Sequence, residues 1–261
     1  MLSTNFLPGA PNWVDLGTPD TGAAAAFYGA LFGWQFQSAG PDAGGYGMFT
    51  RDGKTVAAAG PLSEPGAVPS WTLYFYAPDA DAATAAVRKA GGTVRMEPMD
   101  IGPEGRMAQF SDPAGAQFAV WQPGRTTGLQ SVSDPGTLCW TELHTPDAAA
   151  AKGFYQSVFG WGSEDTSMGE FTYSVLTPAG GDDSSGQGGV MPISPEMAAA
   201  GAQPQWWPYF AAADCDAVAA EAARRGGTVI AGPQDIPTVG RFAMLADPAG
   251  APFAIITGAA S

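Results

Sequence analysis

Histidine is nearly absent: His144 is the only one in 261 residues. A metal centre built on paired imidazoles therefore lacks its ligand supply. Cysteine is almost as scarce, with Cys139 and Cys215 both in the second half and without counterparts in the first. Two such residues make neither a disulfide framework nor a CxxC metal pair, and they read as reduced structural thiols of a cytoplasmic protein. Basic residues number 11 against 25 acidic ones, a formal charge of −14. That sign opposes nucleic acid and anionic membranes as partners. Nor does any apolar run approach the ~20 residues of a membrane span. The N-terminal stretch MLSTNFLPGAPNW lacks the positive and apolar regions of a signal peptide. An acidic cytoplasmic protein handling a small molecule is the expectation.

What the chain has in abundance is glycine, proline and aromatic surface: 36 Gly, 23 Pro and 8 Trp. That mixture suits many short strands joined by tight turns. The strongest signal is an internal repeat. TPDTGAAAAFYGALFGW (18–34) answers TPDAAAAKGFYQSVFGW (145–161) at an offset of 127. WTLYFYAPDADA (71–82) answers WWPYFAAADCDA (206–217), and GRMAQFSDPAGAQFAV (105–120) answers GRFAMLADPAGAPFAI (240–255), both at 135. The change of offset places an eight-residue insertion in the second copy, within PAGGDDSSGQGG (178–189). The expected organisation is module one over 1–122, a turn-rich linker over 123–136, and module two over 137–261.

Each module reads as the same element order twice over. A strand over 12–17 precedes Thr18-Pro19-Asp20, which opens a helix whose apolar face carries Phe27, Tyr28, Leu31 and Phe32 and which Gly33 closes. Strands follow near 45–50, 55–60 and 71–76, then a helix over 79–90 and strands over 93–97, 106–111 and 116–121. Asp112-Pro113-Ala114-Gly115 joins the last two as a type I turn. The fold class is α+β, with four βαβββ units per chain pairing into curved mixed sheets around a cleft.

The markers TPD…FY…LFGW and DPAGAQFAVW, present in both halves, resemble the vicinal-oxygen-chelate superfamily of glyoxalases, bleomycin-resistance proteins and dioxygenases. The resemblance covers the whole chain and points to a two-module actinobacterial "glyoxalase-like" or "hydroxylase" group, hence to antibiotic biosynthesis. In metal-using members the ligands stand on the first strand, the middle strand and the last strand. The resemblance puts those positions at Trp13 and Trp140, near Tyr74 and Tyr209, and at Ala119 and Ala254. The expectation is no bound metal and no cofactor.

Strand alternation then assigns the cleft lining. Trp13, Asp15 and Gly17 share a face, as do Trp140, Glu142 and His144. Tyr74, Tyr76, Trp121, Trp207 and Tyr209 join them, so one floor is expected to carry two indoles, two carboxylates and the histidine. Such a pocket suits a flat apolar ligand. Asp15, Glu142 and His144 are the candidate catalytic groups; Trp13, Tyr74, Tyr76, Trp121, Trp140, Trp207 and Tyr209 are the candidate substrate contacts. Each has a structural alternative: the tryptophans as core, the carboxylates as partners of Arg106 and Arg241, the histidine as a satisfied polar group. Two functions follow. One is a metal-independent enzyme doing acid–base chemistry (isomerisation, cyclisation, hydration or assisted hydroxylation) on a small aromatic or polyketide-like metabolite. The other is a binding protein that sequesters a toxic aromatic compound. Either works as a monomer with paired modules or a weak homodimer.

Overall fold

A computed structural model describes residues 2–62, 66–169, 171–182 and 184–259. Module one runs β1 (Pro11–Thr18), α1 (Thr21–Phe32), β2 (Gln35–Ser38), β3 (Gly47–Arg51), β4 (Lys54–Pro61), β5 (Ser70–Tyr76), α2 (Ala80–Lys89), β6 (Thr93–Ile101), β7 (Gly105–Ser111) and β8 (Gln117–Pro123). Module two repeats this as β9 (Leu138–Thr145), α3 (Ala148–Phe159), β10 (Gly162–Ser167), β11 (Thr172–Thr177) and β12 (Gly188–Pro192). A short α4 (Pro195–Ala199) leads into β13 (Gln205–Ala211), α5 (Cys215–Arg224), β14 (Thr228–Ile236), β15 (Gly240–Ala246) and β16 (Pro252–Gly258). The strands form two open eight-stranded mixed sheets of identical plan, β2-β3-β4-β1-β5-β8-β7-β6 and β10-β11-β12-β9-β13-β16-β15-β14. In each, parallel pairs (β1 with β4, β5 with β8; β9 with β12, β13 with β16) flank the centre of the sheet.

Local chemistry explains the repeated helices. Asp20 and Asp147 accept from the backbone N–H three residues on, at 2.9 Å in both cases, filling the N-cap role their place before the alanine runs implies. Gly33 and Gly160 end the helices at φ 73° and 71°, a left-handed conformation that a side chain disfavours. The two outer strands β2 and β10 were not among the expected ones. Their residues are largely exposed, so no period-two apolar pattern marks them. The eight-residue insertion was expected in the connection between β11 and β12, but the register divides it: Ala58 faces Asp15 where Gly189 faces Glu142, an offset of about 131, so half lies there and half between β12 and β13, where α4 stands.

Packing divides the chain differently from the repeat. One compact unit takes residues 1–13, 73–128 and 140–207; the other takes 14–72, 129–139 and 208–261. Each therefore combines half of one module with half of the other. The first holds Phe75, Phe118, Tyr155, Phe159, Trp161 and Trp206 in mutual ring contact, with centroids 5.0–6.4 Å apart. The second holds Tyr28, Phe32, Trp34, Trp71, Phe210 and Phe253 in the same way. Within each unit a helix tyrosine reaches the DPAG turn of the other module: Tyr155 donates to Asp112 and Tyr28 to Asp247, both at 3.2 Å. Burial pushes both aspartates above the ordinary carboxylate range, against the opposing pull of the turn N–H groups.

Candidate functional site

Trp140, Glu142 and His144 stand two residues apart on strand β9, and hydrogen bonds bring the three together. The three are joined by a residue that sequence reasoning passed over. Tyr173, on β11, donates its hydroxyl to Glu142 Oε2 at 2.8 Å and accepts from Trp140 Nε1 at 3.0 Å. Glu142 Oε1 stands 2.9 Å from His144 Nε2. The direction of this chain is set at its Trp140 end, because an indole N–H only donates. The Tyr173 proton is thereby committed to Glu142, and Glu142 is left to accept Nε2–H from the imidazole. The network thus places a proton on His144 Nε2 and leaves Nδ1 as the ring nitrogen turned away from Glu142. Burial and the Glu142 charge push the Tyr173 phenol well above its ordinary range, so it acts as a neutral donor.

The cluster is enclosed: His144 is 4% exposed and Glu142 9%. Close approach of Tyr173 depends on Gly189 of β12, which pairs in register with Glu142. A Cβ at Gly189 would lie 2.0 Å from the Tyr173 oxygen. Trp207, from β13, lays its ring beside the imidazole, with centroids 5.4 Å apart at 37°. Trp207 is itself buried, and its Nε1 has no hydrogen-bond partner among the described residues. A buried donor left unpaired costs about 1–3 kcal/mol.

On the first sheet the corresponding set is Trp13, Asp15, Tyr74, Tyr76 and Trp121. Trp13 and Trp121 stack at 6.5 Å and 23°, while Tyr74 and Tyr76 pair in register with Ala119 and Trp121. Asp15 accepts from Tyr46 at 3.2 Å. Tyr46 and Tyr173 are separated by the same 127 residues as the TPD blocks, a signal that could have revealed them in the sequence. Gly17 stands where module two has His144, so this set has a carboxylate and a phenol but no imidazole.

The candidate residues are distributed over both sheets. Asp15 belongs to the first sheet, Glu142 and His144 to the second. Among the substrate candidates Trp140 and Trp207 lie against that dyad, and Tyr209, on β13, is paired in register with Ala254. The arginines pair with other acids. Arg106 pairs with Asp81 and Asp100, and Arg241 with Asp216 and Asp235, since the edge hairpins and adjoining helices bring those acids closer.

The donor set does not fit a metal. Tyr74 faces Ala119 across the parallel pair and Tyr209 faces Ala254, with indoles on the first strands. Ala, Trp and phenol side chains offer no carboxylate or imidazole there, and no group of three His, Cys, Asp or Glu among the described residues is placed to hold an ion. No helix among those residues is long and apolar enough to cross a membrane.

Comparison with known proteins agrees with this architecture. The Glyoxalase/Bleomycin resistance protein/Dioxygenase superfamily profile matches residues 10–120 and again 137–255. The anthracycline biosynthesis protein DnrV of Streptomyces peucetius is 42% identical over 97% of this chain and 94% of its own. The putative glyoxylase CFP32 of Mycobacterium bovis is 42% identical over 97% and 96%. Among solved structures, the Mn(II)-bound glyoxalase from Novosphingobium aromaticivorans superposes with a TM-score of 0.64 at 20% identity, covering 96% of this chain and 83% of that one. A homoprotocatechuate 2,3-dioxygenase variant from B. fuscum gives 0.67 at 14%, covering 99% and 74%.

Proposed function

The chain belongs to the glyoxalase/bleomycin resistance protein/dioxygenase superfamily, and on that footing we propose that it is a metal-independent enzyme acting on a small aromatic or polyketide-like metabolite by acid–base chemistry. The observation that carries this reading is the buried Tyr173–Glu142–His144 chain between two indoles. His144 is the base through Nδ1, Glu142 holds its tautomer and stabilises the imidazolium, Trp140 stacks on the substrate rings and Trp207 contacts the substrate beside the imidazole. The relationship to an anthracycline biosynthesis protein supports a polycyclic substrate. Isomerisation, cyclisation and hydration need only a proton donor and acceptor, so they suit this set. Assisted hydroxylation, in which a partner enzyme supplies the oxidant, belongs to the same reading. The protein acts in the cytoplasm as a monomer or weak homodimer.

Trp13, Tyr74, Tyr76 and Trp121 enter as the lining of a second, binding-only surface on the first sheet. The absence of an imidazole there favours ligand retention without chemistry, the sequestration role, for the first sheet. The test is incubation with a panel of bicyclic to tetracyclic aromatic ketones in D2O, read by mass spectrometry. Mass change with wild-type protein and none with Glu142→Gln or His144→Ala supports the enzyme. Tight binding with no mass change in any of the three assigns sequestration instead.

A further inference from the structure

Building on the dyad as read above, we propose that the Trp207 indole N–H binds the carbonyl oxygen of the substrate, which makes that substrate an aromatic ketone with an acidic C–H beside its carbonyl. Trp207 is 6% exposed and its Nε1 meets no partner among the described residues, while its ring lies 5.4 Å from that of His144. Two adjacent rings thus present a donor lacking an acceptor and a base lacking a proton. A carbonyl compound with an ionisable neighbouring C–H satisfies both at once.

The repeat supplies an independent argument. At the equivalent positions of module one, His144 is replaced by Gly17 and Trp207 by Thr72. The scaffold residues Trp140, Tyr173 and Trp206 all keep their counterparts Trp13, Tyr46 and Trp71. Base and donor are therefore both confined to one module, as expected of two parts of one device.

The step needs no further reagent. His144 Nδ1 takes the proton from the carbon beside the carbonyl as that C–H bond breaks. The electron pair forms a new C–C double bond, and the carbonyl π pair moves onto oxygen, where the indole N–H receives it. The imidazolium is held between the enolate and the Glu142 carboxylate. Returning the proton to the same carbon exchanges it; returning it to another carbon of a conjugated ring system yields an isomer.

The test uses 2-tetralone, a bicyclic aromatic ketone, with proton exchange in D2O followed by NMR. Wild-type protein should exchange the benzylic protons faster than buffer. His144→Ala should fall to the buffer rate, and Trp207→Phe should slow exchange by about 100-fold, the scale of losing one oxyanion donor. Circular dichroism confirms the fold of both variants. A second measurement needs no variant: in protein carrying 15N-labelled indoles, 2-naphthol, a planar image of the enol, should move the Trp207 N–H resonance downfield. Full exchange by a folded Trp207→Phe protein, or an indole resonance unmoved at saturating 2-naphthol, overturns the role of Trp207 and leaves the dyad standing. Wild-type exchange no faster than that of His144→Ala overturns both.

Discussion

Tyr173 donates its hydroxyl to Glu142 across 2.8 Å, and the same carboxylate stands 2.9 Å from the imidazole of His144. The phenol and the imidazole occupy different oxygens, so each constrains the other through one carboxylate. Three consequences concern this cluster and the strands that hold it; two more concern the scaffold.

The histidine tautomer is the most immediate. Because His144 is the only histidine, its two ring nitrogens can be read without ambiguity by 15N NMR. A proton on Nε2 is expected in the native protein, and loss of that preference between the two nitrogens in Glu142→Leu. Protonation at Nδ1 in the native protein would reverse the assignment of the base.

Gly189→Ala should act on the cluster without changing any polar group. The new Cβ would fall 2.0 Å from the Tyr173 oxygen, so the ring must retreat and release Glu142. Overpacking of this kind costs about 1–3 kcal/mol. A drop in thermal midpoint of roughly 2–4 °C per kcal/mol should accompany loss of turnover. Across the first sheet, Ala58 already stands beside Asp15, where Tyr46 lies over Gly60 instead. Ala58→Gly should therefore leave the first-sheet pair intact. An unchanged midpoint and activity in Gly189→Ala would show that Tyr173 is not held there.

Asp112 gives a pH test. Its folded-state pKa is raised by burial, so the folded chain binds this proton more tightly than the unfolded chain does. Stability is thus lost as pH rises from the ordinary carboxylate value of about 4 through the raised folded value, and is level above it. Asp112→Asn keeps an oxygen for the Ala114 and Ala116 N–H groups but has no proton to lose. Its stability relative to wild type should climb over that window in urea titrations between pH 4 and 8. A pH-independent difference would contradict the assignment.

Neither module should fold alone. In one compact unit Phe75 and Phe118 of module one meet Tyr155, Trp161 and Trp206 of module two. A fragment of residues 1–122 leaves Phe75 and Phe118 without these ring partners. It should show no cooperative unfolding by circular dichroism, and it should regain it when mixed with 137–261. A cooperative transition in the isolated fragment would mean that the repeat, and not the mixed unit, is the folding unit.

Much of this was legible in the sequence, and the gaps have physical causes. The caps at Asp20 and Gly33, the DPAG turns and the central strands are local, and each leaves its mark within a few residues. Outer strands β2 and β10 leave none, because exposed polar residues carry no apolar period. The two-residue spacing of Trp140, Glu142 and His144 on one strand could be read directly. Their partner Tyr173 could not, because that spacing says nothing about a neighbouring strand whose register the eight-residue insertion obscures. The offset of 127 shared by Tyr46 and Tyr173 was nevertheless present. The assembly of each core from halves of both modules leaves no trace in the repeat itself, since either arrangement buries the same aromatic positions.

Acid–base chemistry by Glu142 and His144, as proposed above, needs no metal. Its most direct test is turnover of an aromatic ketone substrate, identified from the panel above, by protein stripped with EDTA and confirmed metal-free by mass spectrometry. The stripped wild type should keep an undiminished rate, while Glu142→Gln and His144→Ala should fall by about 100-fold or more, the scale of losing a general acid–base group. Loss of turnover on stripping, restored by added Mn(II), Fe(II) or Zn(II), would contradict it.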